Sequence, residues 1–149
     1  MQISHGIISL FLILSAIATA LGDVFPKSWM FGLLYILVVM LCTVNIVYAY
    51  CAKCPCRRYA CGHAIFGWLA TKFTNRKAGR YTFIDIVSTV ISIAAVLLVP
   101  QLWLIESLPA LILFWSLIVL ATVEIIFFVC PDCTNKYCML HKDNKSFGA

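Results

Sequence analysis

Four stretches of this chain are each long and apolar enough to cross a lipid bilayer, and they limit its possible folds more than any other feature. The first runs from Ile3 to Gly22 and the second from Ser28 to Tyr50, both without a charge. The third, Tyr81 to Ile105, holds one acid, Asp85. The fourth, Ser107 to Val129, also holds one, Glu124. A helix of roughly 20 apolar residues spans a hydrocarbon core. In lipid each backbone N–H and C=O must be paired within the protein, and at this length only helices manage that. The fold class read from the sequence is therefore all-α and integral to a membrane, a bundle of four transmembrane helices. Composition agrees, with 63% hydrophobic and 11% charged residues against about 25% charged in ordinary globular chains.

The connections are a turn (Asp23 to Lys27), a long loop (Cys51 to Arg80), a tight turn at Glu106 and a tail from Cys130 to Ala149. The first stretch ends LSAIATALG, with Ala18 and Ala20 at signal-peptide spacing. No Lys or Arg precedes it, so it is read as a retained helix. Ten Lys and Arg lie in the loop and tail (Lys53, Arg57, Arg58, Lys72, Arg76, Lys77, Arg80, Lys136, Lys142, Lys145), and only Lys27 lies on the other side. The positive-inside rule then puts both termini and the cysteine-rich regions in the cytoplasm of a cell (inner) membrane. The net charge of +5 reads as topology and as attraction to anionic lipid headgroups, with no nucleic-acid partner implied.

The chain matches itself at a shift of 79 residues. LCTVNIVYAYCAKC (Leu41 to Cys54) lies over LATVEIIFFVCPDC (Leu120 to Cys133), with Leu41, Thr43, Val44, Ile46, Cys51 and Cys54 meeting identical residues. Asn45 meets Glu124. The first and third helices match only weakly. This reads as two parallel helical-hairpin repeats, residues 1–80 and 81–149, forming one integrated membrane domain about an axis along the membrane normal. If the second and fourth helices pack near that axis, Cys51, Cys54, Cys130 and Cys133 converge on one four-thiolate site. Those CxxC residues, CPDC above all, locally resemble the paired knuckles of zinc ribbons and rubredoxin-like centres. The likeness covers only these few residues.

RRYACGH (57–63) and NKYCMLH (135–141) form a second echo. Cys56, Cys61, His63, Cys138 and His141 are thus candidates for a second site. Seven of the eight cysteines lie on the basic side, where a reducing compartment favours metal binding over disulfides. Palmitoylated or unligated thiols are the plainer alternatives. Zn²⁺ suits four thiolates without redox chemistry. Iron or an iron–sulfur cluster is the alternative, although CxxCxC departs from ferredoxin spacing. Cys42 reads as a small apolar residue within its helix, and His5 as a polar end residue.

Asn45 and Glu124 each stand six residues before a CxxC, roughly 9 Å into the membrane, and Asp85 lies at similar depth. Three readings follow: pairing of the acids with Arg80, Arg57 or a helix end, a small polar pocket for protons or a metal path, or an interface with another membrane subunit. AIFGWLATKF places Ile65, Phe66, Leu69 and Phe73 on one helical stripe beside Trp68, an interfacial helix or a cap on the bundle end. Tyr81, Trp29 and Trp103 read as interface anchors and Trp115 as packing.

No P-loop, GxSxG, HExxH or glycine-rich dinucleotide fingerprint is present, and the far-side turns leave no room for a catalytic domain. Quinone-linked thiol oxidoreductases need a CxxC on the oxidising side, opposite to this one. A transporter needs polar residues across the midplane, where only scattered Ser and Thr occur. The expectation is a structural or accessory subunit, without catalysis of its own, in contact with lipid and other membrane subunits. The alternatives are an electron-transfer subunit carrying iron and a soft-metal handling protein.

Overall fold

The computed structural model describes residues 2–55, 64–72, 79–131 and 135. Those residues are all-helical, without a strand. Helix α1 spans Gln2–Val24 and α2 spans Trp29–Ala49, which tightens into a 3-10 turn, Cys51–Lys53. A short helix α3 covers Ala64–Lys72. Helix α4 (Phe83–Leu98) is followed by a four-residue turn of helix, α5 (Gln101–Leu104). Helix α6 (Leu108–Glu124) opens into a π-helical turn, Ile125–Val129. Four helical runs, Ser4–Val24, Trp29–Lys53, Phe83–Leu104 and Leu108–Val129, have the length and apolarity to cross a membrane. Their outward residues are apolar: Phe11, Leu37, Ile91 and Phe127 are all exposed. A bilayer is the solvent that fits such a surface.

The third span is broken at Pro100. Proline lacks the N–H that would reach back to the Val96 carbonyl. That carbonyl instead accepts the Tyr35 hydroxyl from α2 at 3.0 Å. Gln101 Nε2 donates to the Leu97 carbonyl at 2.9 Å and shields the next turn. Tyr35 is fully buried and meets the Trp103 ring edge-on at 5.4 Å. Trp103 in turn donates its indole N–H to the Ala20 carbonyl at 3.1 Å. Ala16 and Ala20, both fully buried, let these rings approach the α1 backbone, and Val24, Leu104 and Phe114 complete the core. Trp103 is thus a core residue rather than an interface anchor. The packing role expected of Trp115 goes to Trp103: Trp115 is 38% exposed, with its N–H on Gln101 Oε1. Trp29 is exposed, as an anchor would be.

The extensive helix contacts are α1 with α6 and α2 with α4. Sequence-adjacent α1 and α2 touch less, and α2 with α6 is not among the packed pairs. Convergence of the second and fourth helices about a central axis therefore does not occur by direct packing. The polar side chains make the same selection: Asn45 of α2 bonds to α4, and Glu124 of α6 bonds to α1. Hydroxyls within the spans largely bond their own helices, as Thr19 to Ser15, Thr89 to Asp85, Ser116 to Ile112 and Thr122 to Ile118.

Helix α3 lies against the ends of α1 and α2 and the Cys51–Lys53 turn, as a cap on the bundle. Among its described side chains Gly67 and Ala70 are buried, Phe66 and Leu69 half-buried and Trp68 exposed. Small residues let a short helix sit close; of the expected stripe Phe66 and Leu69 are half-buried, while Phe73 and the side chain of Ile65 lie outside the described residues. At the opposite end Lys27 bridges Asp23 at 3.0 Å and Glu106 at 3.2 Å, joining the two outer turns. The Asp23 hydrogen bond chiefly, then Glu106, holds the exposed Lys27 amine above its ordinary 10.5.

Candidate functional site at the cysteine-bearing end

The first CxxC begins where α2 ends. Cys54 N–H returns to the Cys51 carbonyl at 3.1 Å, and the backbone leaves Cys54 extended. Between the two cysteines, Ala52 is fully buried and Lys53 points toward α4. Lys53 Nζ donates to Asp85 Oδ2, and Gly79 N–H donates to the Lys53 carbonyl at 3.2 Å. Asp85 is 3% exposed and is also the N3 residue of a capping box. Thr82 N–H and Oγ1 both reach its carboxylate, at 2.9 and 2.6 Å. A capping box closes orphan donors at a helix start. Here the same carboxylate also receives the ammonium of the knuckle, so the start of α4 and the first CxxC are one unit. Asp85 thus sits at a helix end, as one sequence reading expected, and Lys53 is a cation paired with it; Arg57 lies outside the described residues.

Two aromatic rings close this unit. Tyr50 and Tyr81 stack with centroids 4.4 Å apart at 11°. Bonded to this pair is Asn135, 2% exposed, which follows CPDC in the sequence. Its Nδ2 donates to Tyr81 Oη at 3.0 Å and to Cys54 Sγ at 3.5 Å. The contact joins positions 81 residues apart.

The second CxxC follows the π-helical turn, where Cys130 N–H reaches the Ile125 carbonyl at 2.8 Å. Cys42, Cys51, Cys54 and Cys130 are half-buried and none is in a disulfide. Among the described residues no group of three or more His, Cys, Asp or Glu is arranged to hold a metal ion. Cys133, Cys56, Cys61, His63, Cys138 and His141 lie outside the described residues.

The three polar residues below the cysteines fall on two seams. On the α2–α4 seam, Asn45 Nδ2 bonds Ser88 Oγ and Ser92 Oγ, both at 2.7 Å. A mostly apolar, open groove of about 330 Å³ lies beside it, lined by Phe83, Ile84, Val87 and Ile91 with those three polar residues. On the α1–α6 seam, His5 Nδ1 lies 2.9 Å from Glu124 Oε2, and the imidazole stacks on Phe128 at 4.8 Å. His5 is therefore a partner of Glu124 rather than an idle end residue. It stands one turn into α1, opposite an acid two turns before Cys130. Sequence reading could have paired them by depth, since four crossings would put the start of the first span and the end of the fourth on the same side. Lys53 and Asn135 had no comparable signal.

A scan of family models, a search of curated proteins and a search of solved structures each gave no match to this chain.

Proposed function

We propose that this is a four-span membrane protein of the cell membrane whose cytoplasmic end carries a zinc–thiolate knot made by two related hairpins. In this reading it is a structural or accessory subunit of a membrane complex. One observation carries it: Asn135, just beyond CPDC, is buried against Cys54 of the first CxxC. The tail of one half thus returns to the knuckle of the other. Two features agree with a duplication. The packed pairs α1–α6 and α2–α4 are those that a two-fold axis along the bundle would exchange. Asn45 and Glu124, equivalent at the 79-residue shift, each bond the partner helix of their own pair.

Cys51, Cys54, Cys130 and Cys133 would hold the zinc, which supplies a clamp between the halves. Cys56, Cys61 and Cys138 with His63 or His141 would form a second site. The surplus of Lys and Arg at this end gives the cytoplasmic orientation, and reduced thiols suit that compartment. Short turns at the other end and a capped bundle suit a subunit that offers a basic, aromatic face to partners and headgroups.

The test is elemental analysis with a visible spectrum on protein purified in mild detergent without added metal. About one or two zinc ions per chain and no colour support the clamp. Iron with visible thiolate bands would move the reading to electron transfer, and rapid loss to a weak chelator would move it to metal handling. Cys54→Ser and Cys133→Ser are expected to lower bound zinc to a similar extent. Loss in one variant and full retention in the other sinks the shared cage.

A further inference from the structure

We propose that Asn135 is a positioning residue for Cys54, holding the sulfur in one orientation and docking the tail on the first knuckle. The geometry stands without a metal; its extension to zinc rests on the shared-cage reading above. A buried carboxamide must be hydrogen-bonded, since burial without partners is unfavourable. Asn135, at 2% exposure, donates to Tyr81 Oη at 3.0 Å, at the start of its own half, and to Cys54 Sγ at 3.5 Å in the other half. Both are fixed in their turn. Tyr81 is stacked on Tyr50, the residue before Cys51. Cys54 follows Lys53, which is anchored on Asp85. The carboxamide therefore lies at the meeting point of α2's end, α4's start and the tail. A neutral thiol is a weak acceptor, whereas a metal-bound thiolate is a good one. Donors in that outer position orient a ligand and strengthen metal binding.

The experiment follows N-ethylmaleimide modification of each cysteine by mass spectrometry, on full-length chain in mild detergent after chelation. Asn135→Ala is expected to speed Cys54 about tenfold, the effect of losing one hydrogen bond that covers the sulfur, with Cys51 and Cys42 little changed. Asn135→Leu, close in size, uncharged and without the donor, should act alike. Tyr81→Phe, which removes the second anchor, should act in the same direction by less. Equal Cys54 rates in wild type and Asn135→Ala overturn the proposal. So does a uniform rise that includes Cys42 within α2, because that reports general loosening. Zinc titration of the same proteins then separates the two readings. Asn135→Ala should weaken zinc about 10- to 100-fold. Unchanged zinc affinity overturns the role of Asn135 toward the metal. A wild-type chain that binds no zinc, with the Cys54 effect intact, overturns the cage and leaves the Asn135 contact standing.

Discussion

Pro100 has no N–H for the Val96 carbonyl, and the Tyr35 hydroxyl takes its place from another helix. In lipid no water can fill that gap. Tyr35→Phe is therefore expected to destabilise the bundle by about 1–3 kcal/mol, the cost of a buried acceptor left unpaired. In a Pro100→Ala background the helix can supply its own N–H, so the same substitution should cost clearly less. Unfolding of all four proteins in mixed detergent measures the cycle, and equal costs in both backgrounds would refute the account. Lys53 and Asp85 form the second such unit. Lys53→Met leaves a buried carboxylate without its lysine, and removing one partner of a buried pair costs about 3–5 kcal/mol. Lys53→Met with Asp85→Asn should recover much of that loss, as thermal denaturation would show. A proline in an apolar run announces a break, and TFID announces a helix start. What answers the proline was not legible, because it depends on how a neighbouring helix is rotated.

That rotation is the unknown at the level of elements. Helices α2 and α6 are apolar on every side, so no stripe marks the face that turns inward. Length, apolarity and the turn residues sufficed to find four spans and their order. They did not reveal that α1 packs on α6 and α2 on α4, nor that the α6 end loosens into a π-helical turn while the α2 end tightens. The few polar side chains carry that information, but only once their partners are known. His5 and Glu124 sit on one seam, Asn45 with Ser88 and Ser92 on the other. A cycle of His5→Ala and Glu124→Ala should show coupling of about 0.5–3 kcal/mol, as contacting residues do. His5→Ala and Asn45→Ala should add independently. Coupling in the second pair and none in the first would mean that the seams are assigned wrongly. The candidate site was legible as a list of cysteines at one end. Its supports, Lys53, Tyr50, Tyr81 and Asn135, were not, because each acts through a partner distant in sequence.

For the whole molecule, the two ends differ in kind. One end carries Cys51, Cys54 and Cys130, helix α3 and the Tyr50–Tyr81 stack bonded by Asn135. The other is closed by Lys27 between Asp23 and Glu106. Because Lys27 is held above its ordinary value in the fold, whatever those contacts add is complete through neutral pH and fades only as pH rises past the lysine range. The apolar girdle between the ends faces outward around the bundle, so the ends must lie in opposite aqueous layers. Gly22 offers a probe of this, since it is exposed near the outer end and an added side chain meets nothing within 4 Å. In intact cells a membrane-impermeant maleimide should label Gly22→Cys, while the native Cys51, Cys54 and Cys130 stay unlabelled. In inverted vesicles, after chelation, the native cysteines should label and Gly22→Cys should not. Labelling of both ends from one side would contradict four crossings. A clean reversal of the pattern would keep the bundle and invert its orientation. It would also place the thiols in an oxidising layer, where disulfides replace zinc as the expected chemistry.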